Sequence, residues 1–448
     1  MRDIVITVLV FGSVPLIIYR PYIGILVWSW LGYMNPHRLC WGFAVTMPFA
    51  QTTALAIIIG TLISKEDRKL PVDRVVVVLV LFILWMFITT VFALNPTEAW
   101  GEWNKVWKIQ LMTFFSMVLI KDLQRLKWLI WTIAVSLGYY GIKGGIFTIL
   151  TGGNYKVWGP ASTFIGGNNE IGLALIMTIP LLRFLQMQTQ RFWLKAGLLG
   201  AIGCCAIAIL GTHSRGALLG LLIMGGSLIL KGKNKFFFGL LALVGGMLLY
   251  QFMPESWHER MGTIKTYEKD GSAMGRINAW GFAINVAKDR LFGGGFGAFD
   301  GFWFQIYAPN PDDFHDAHSI YFEVLGEHGF IGLALFLLLG FFTWQNASRC
   351  IALSKKYPDL QQLGNLMRMV QVSLVGYASS GAFLGLAYFD FYYHLVAVVV
   401  IGNYIVNTRA AATTAEQPQE APANARLREL RSFVRTSVKP ERSAVPSK

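Results

Sequence analysis

Charge is scarce in this sequence. Only 14% of its 448 residues are Asp, Glu, Lys or Arg, where a soluble domain carries about 25%. Acid is scarcer than base: 25 Asp and Glu stand against 39 Lys and Arg, a formal net charge of +14. Apolar runs such as Val75–Leu84 and Ala196–Gly211 take the place of the missing charge. An ordinary soluble protein is thereby excluded, and an all-α polytopic membrane protein is implied. Its first partner is then the lipid bilayer. No nucleic acid is expected, because Lys and Arg fall in short groups between apolar segments rather than on one soluble face. The four cysteines, Cys40, Cys204, Cys205 and Cys350, show no CxxC spacing, which argues against both a disulfide framework and a thiolate metal site. The N-terminal apolar run lacks a small-residue cleavage site and is expected to stay as a first span. No repeat of 20–50 residues and no pair of short broken spans is visible, which weakens a transporter reading.

A bilayer core takes about 20 apolar residues as helix. Candidate spans are 47–64, 75–93, 103–120, 126–149, 171–189, 196–212, 216–230, 236–253, 318–348, 367–386 and 389–406. Residues 4–34 are apolar but interrupted by Arg20–Pro21, so they form either one long broken helix or two short ones. One crossing is favoured here, about twelve transmembrane helices in all. The chain then divides into nine spans over 1–253, a loop at 254–317, three spans over 318–407 and a tail at 408–448. Positively charged loops stay in the cytoplasm. One alternate set of loops, with Arg2 and the tail, holds 26 of the 39 Lys and Arg, the other set 11, and Arg20 and Lys143 lie within spans. Both termini are therefore expected in the cytoplasm.

Residues 254–317 make a long extracytoplasmic loop, and loops of that length are usually functional or disordered. This one carries a helical stripe at Ile277, Trp280, Ile284, Ala287 and Leu291, suited to the membrane surface or to other helices. The tail from Thr408 is rich in Ala, Pro, Gln and Glu and then basic around Arg426, Arg428, Arg431 and Arg435, which predicts disorder with a short stretch for an anionic leaflet.

Chemistry-bearing residues gather at the extracytoplasmic ends. Arg215, in Gly211-Thr-His-Ser-Arg-Gly216, joins two apolar arms almost without a linker. A charge at that boundary is costly and reads as functional, against a helix-end arginine that merely snorkels. The long loop supplies Arg260, Arg276 and Arg290, whose guanidinium forks match phosphate oxygens bidentately. Nine acids share this segment, which allows ordinary surface charge as the alternative, and one of the three is expected to be structural. The run Gly293-Gly-Gly-Phe-Gly297 is either a tight turn or an anion cradle. His315 and His318 stand among Asp312, Asp313, Asp316 and Glu323. A general base is favoured over a divalent-metal site, with His318 the better base because it opens the following apolar helix. No metal or other cofactor is expected. Asn169, in Gly166-Gly-Asn-Asn-Glu170, and Lys143 rank below the arginines as lining residues.

Taken together, Gly167-Asn-Asn169, Ser214-Arg-Gly216, Asp270-Gly-Ser272, Arg276, Trp280, Gly294-Gly-Phe-Gly297 and Ala317-His-Ser319 with Glu323 and Gly326 resemble the O-antigen ligase and polymerase superfamily. Ser319 stands where that family commonly has Asn after the His. The N-terminal portion and the long tail also resemble the O-glycosylation ligases found with exosortase systems. The resemblance implies a GT-C-type glycosyltransferase of the bacterial inner membrane, with its active site facing the periplasm. It implies transfer of a glycan from an undecaprenyl-pyrophosphate-linked donor to a lipid A-core sugar hydroxyl, with inversion and without metal. His318 is then the base, and Arg215 and Arg276 bind pyrophosphate and stabilise the leaving group. Arg260, Arg290, Asn169 and His315 are further substrate-binding candidates. A polymerase and a protein O-oligosaccharyltransferase of the same superfamily are alternatives, and a lipid-linked-glycan flippase is the non-enzyme alternative.

Overall fold

The computed structural model describes residues 1–232, 234–262 and 271–416. Over these, the chain is helical: α1 (Arg2–Tyr19), α2 (Pro21–Met34), α3 (Phe49–Ile63), α4 (Arg74–Val91), α5 (Pro96–Leu119), α6 (Leu123–Leu150), α7 (Asn168–Gln188), α8 (Phe192–Gly211), α9 (Arg215–Lys231), α10 (Lys235–Phe252), α11 (Glu255–Gly262), α12 (Gly271–Asp289), α13 (Gly301–Tyr307), α14 (Ile320–Ser354), α15 (Gln361–Gly381) and α16 (Asp390–Glu416). The chain divides into two units, Met1–Ile405 and Val406–Lys448. Among the described residues, eight helices are long and apolar enough to cross a membrane by length and composition, namely α1, α4, α6, α7, α8, α10, α14 and α16. Other segments expected to span are shorter, as α3 and α9 are, or more polar, as α5 is with Glu98, Glu102, Lys105 and Lys108.

Residues 4–34 do not form one helix. Pro21 opens α2 at a position where its missing N–H costs nothing, and Arg20 is pushed to extended backbone (φ −135°, ψ 88°), so two helices meet at a sharp break. The chain folds back as a hairpin. At its open end, Asp3 Oδ1 accepts from the backbone N–H of Gly42 and Ala44, each at 3.1 Å. At its closed end, Tyr22 stacks on Trp128 and lies under the guanidinium of Arg125, which pairs with Glu66 at 2.7 Å. Arg2 therefore lies at the opposite end of the bundle from the basic loop at 65–74. This corrects the expectation that the two share a side.

Close approach of helices rests on glycine. Gly60 of α3 meets the backbone of Ile17 and Ile18, and Gly141, Gly144 and Gly145 of α6 meet Cys205, Ala208 and Cys204 of α8. Small residues at such crossings let backbones approach where lipid offers no hydrophobic drive for association. The centre of the bundle is α7, buried almost throughout between α6, α8, α9 and α15. It presents Asn168–Glu170 at one end.

The stripe predicted for the long loop packs in part, through Trp280 on Phe322 and through Ile284 and Ala287 beside Leu325. In α12 the buried residues are Gly275, Asn278, Ala279, Phe282, Ala283, Val286 and Ala287, while Ile277 and, just beyond the helix, Leu291 are exposed. Phe282 stacks on Phe304 of α13, and Ala283 and Ala287 pack with Leu325 of α14. The aromatic demand of Phe304 and the small residues facing α14 decide the face. Residues 408–416, expected to be disordered, continue α16; Arg426, Arg428, Arg431 and Arg435 lie outside the described residues.

Candidate functional site

Two groups of polar residues meet at one end of the bundle. The first is built on the turn between α8 and α9. Thr212 ends α8, and Ser214 caps α9 by accepting from Ala217 N at 3.2 Å. Between them His213 adopts a left-handed backbone (φ 55°), uncommon for a residue with a Cβ. Its Nε2 bonds the carbonyl oxygen of Gly153 at 2.8 Å, and burial pushes its pKa below the ordinary range. Asn168 of α7 donates to Thr212 O at 2.8 Å, and Arg260 of α11 donates through Nε to His213 O at 2.8 Å. Arg215 follows as the first residue of α9, half-buried.

The second group lies where the loop returns to α14. Trp280 of α12 donates to Ala317 O at 2.9 Å and stacks on Phe322, which seats His318 over α12. His318 also has positive φ, 41°, a strained conformation of the kind that clusters at functional sites. Burial and, after it, the positive charge of Arg276 push its pKa below the ordinary value. Asp316 opposes that shift and His315 adds to it. His318 is therefore neutral near pH 7, as a proton acceptor must be. The sequence pattern suggests the reverse, that neighbouring carboxylates raise this pKa; desolvation and Arg276 outweigh them. His315 instead packs its ring against Gly275 and lies 3.1 Å from Asp313.

The C-terminal end of α15 links the two groups. Ile320, two residues beyond His318, packs on Gly381, while Phe383 packs on Gly216, the neighbour of Arg215. Tyr321 donates to Ala378 O at 2.9 Å in the same stretch. The neighbours of Arg215 and His318 thus touch the same end of α15, with Arg260 bonded to His213 beside the first and the charge of Arg276 acting on the second.

Arg290 is bound elsewhere. Its Nε donates to Gly293 O at 3.0 Å and its Nη2 to Phe92 O at 2.8 Å, so it holds a loop rather than presenting a free fork. Asn168, not Asn169, makes the anchoring bond to Thr212. Lys143 lines a separate cavity with Arg2 and Arg38.

The glycine run is a structural insert. Gly293, Gly295 and Gly297 all have positive φ, and the N–H groups of Gly294 and Gly295 donate to Gly326 O and Glu327 O at 2.8 and 2.7 Å. Those carbonyls are freed because α14 breaks at Gly329 (φ 66°, ψ −170°). A Cβ on Gly293 would fall 2.6 Å from Gly329 N. This turn therefore joins the broken helix instead of cradling an anion with these donors.

Sequence reasoning missed the residues at this break. Glu327 accepts from Gly297 N at 2.9 Å and from the Tyr388 hydroxyl at 2.6 Å. His328 Nδ1 lies 2.7 Å from Thr89 Oγ1, and His328 O accepts from Trp85 Nε1 at 2.8 Å. The available signal was Glu327-His328 inside an apolar helix, since ionisable residues in such segments are costly and by default functional. Among the described residues, no group of three or more His, Cys, Asp or Glu is placed to hold a metal ion.

Comparison with known families decides the class. Residues 172–337, which run from α7 through the α8–α9 turn and His318 into α14, match the family described as O-antigen ligase. This region belongs to the O-antigen ligase superfamily. Residues 1–190 match a family of unknown function (DUF5935). No curated protein matches the chain. The multiple apolar helices mark a multi-pass membrane protein, and the match over 172–337 likens that part of it to a glycosyltransferase-like ligase and polymerase superfamily.

Proposed function

We propose that the protein is an O-antigen ligase of the GT-C type, transferring a glycan from undecaprenyl pyrophosphate to a lipid A-core sugar hydroxyl at the periplasmic face of the inner membrane. The observation that carries this reading is His318, held neutral by burial and Arg276 beside the end of α15 that also adjoins Arg215. His318 takes the proton of the acceptor hydroxyl as its oxygen attacks the anomeric carbon. The new glycosidic bond forms on the face opposite the breaking bond, and the configuration inverts. The electron pair of the breaking bond leaves on pyrophosphate, whose growing charge Arg215 and Arg276 stabilise. Arg260 is the next candidate for the phosphate, because its Nε bond to His213 O fixes a guanidinium, whose planar fork suits phosphate oxygens, at the turn that carries Arg215.

The topology that serves this reading has the basic ends of α2 and α6 and the loop at 65–74 in the cytoplasm. The α1–α2 hairpin then enters from the periplasm and returns to it, the helices make thirteen passes, and residues 254–317 lie outside.

Purified full-length protein, given lipid-linked glycan with either lipid A-core or an acceptor protein, tests the proposal directly. Transfer to lipid A-core is expected, and in detergent it separates an enzyme from a flippase, which has no compartment to cross. His318→Ala is expected to lose about 10²–10⁴-fold in rate while still binding donor, with His315→Ala much milder. Wild-type transfer by a folded His318→Ala protein would remove the base.

A further inference from the structure

A second cationic site lies away from these residues. A cavity of about 870 Å³ is lined by Arg2, Val5 and Ile6 of α1, Arg38 and Trp41 of the α2–α3 loop, and Tyr139 and Lys143 of α6, among others. Its volume is that of a pocket for an organic ligand rather than of a gap between side chains. Arg215, Arg260, Arg276 and His318 are not among its lining residues. Three elements each contribute one cation. The acid next to them, Asp3, is engaged by the N–H groups of Gly42 and Ala44. Among the described residues, none of Arg2, Arg38 and Lys143 forms an ion pair with a carboxylate, and Arg2 reaches only the carbonyl of Leu39, at 3.5 Å.

The rest of the cavity is mostly apolar and adjoins exposed apolar faces of α1 and α6. Val5, Val8 and Leu9 are exposed along α1, and Ile142 and Ile146 along α6, the faces a bilayer must cover. Trp41 stands 91% exposed beside the cations. An indole so placed suits the boundary between hydrocarbon and headgroup. Cations clustered at the end of an apolar surface call for an amphiphile with an anionic head. Arg supplies a planar fork for phosphate oxygens and Lys a mobile point charge.

We propose that Arg2, Arg38 and Lys143 bind the phosphate of an anionic lipid headgroup, whose acyl chains lie along α1 and α6. The site requires only that the protein resides in a bilayer, so it stands or falls independently of the transfer reaction.

The test is a titration of the purified full-length chain in detergent, followed by native mass spectrometry, with phosphatidylglycerol and phosphatidylcholine of matched chains. Phosphatidylglycerol is expected to bind selectively. An Arg38→Gln, Lys143→Gln double variant should bind it at least about tenfold more weakly, since it loses two charge-assisted contacts. An Arg38→Lys, Lys143→Arg variant should keep most of the selectivity. Inorganic phosphate at equal concentration should not displace the lipid. Equal binding of the two lipids by the wild type, undiminished phosphatidylglycerol binding by the folded neutral variant, or displacement by inorganic phosphate would each overturn the proposal. Should the neutral variant not fold, the selectivity of the wild type decides alone.

Discussion

The hydroxyl of Tyr388 donates to Oε2 of Glu327 at 2.6 Å, while Oε1 of the same carboxylate accepts from the backbone of Gly297. One buried side chain thus ties the broken helix α14 to the glycine run and to the segment before α16. Tyr388→Phe removes one of these donors and leaves a buried acceptor short of a partner, at a cost of about 1–3 kcal/mol. The variant should denature at a lower temperature in detergent. An unchanged transition would show that this bond does not hold the three segments together.

The break in α14 sets a second expectation. Gly329 has φ 66° and ψ −170°, a region open essentially to glycine alone, and a Cβ there would fall 2.7 Å from Leu291 O. Gly329→Ala should cost about 1–3 kcal/mol from backbone strain, plus the displacement of Leu291. Gly225→Ala in α9 meets nothing within 4 Å and should be neutral or mildly stabilising. Thermal denaturation of the two variants side by side gives the comparison, and equal behaviour would contradict the kink.

His318 predicts a pH profile. Its pKa is lowered, so the neutral base persists down to below about 6.5, the ordinary imidazole value, and transfer should fall only as pH drops through the lowered pKa. Arg276→Gln removes one of the causes of that lowering. The acid limb of whatever transfer remains should then move to higher pH. A limb that stays in place or moves lower would mean that Arg276 does not face His318.

Topology is checked by labelling. In a background without the four native cysteines, single cysteines at Arg2 and Ser272 should react with an impermeant thiol reagent on spheroplasts, and one at Arg20 should not. Protection of position 2 together with reaction at 272 would restore a single crossing for residues 4–34.

Much of the bundle was legible because apolar length is a local property. The spans expected at 75–93, 196–212 and 236–253 became α4 (Arg74–Val91), α8 (Phe192–Gly211) and α10 (Lys235–Phe252), each within a few residues. The candidate arginines and His318 stand out in the sequence for the same reason, as polar groups set against apolar flanks. The role of Arg290 was not legible, since it depends on carbonyls at Gly293 and Phe92 that no spacing reveals.

What the sequence determined by itself is that these segments are helices, where they stop, and that basic and catalytic-type side chains collect at their ends. Both follow largely from neighbours in the chain: Pro21 opens α2 and draws Arg20 out of helical backbone. Only the tertiary structure decided that α1 turns back on α2, which face of α12 is buried, and that α14 breaks at Gly329. Those outcomes depend on partners far along the chain. Gly42 and Ala44 must meet Asp3, Phe304 must meet Phe282, and the N–H groups of Gly294 and Gly295 must be present to accept the burden of the carbonyls that the break sets free.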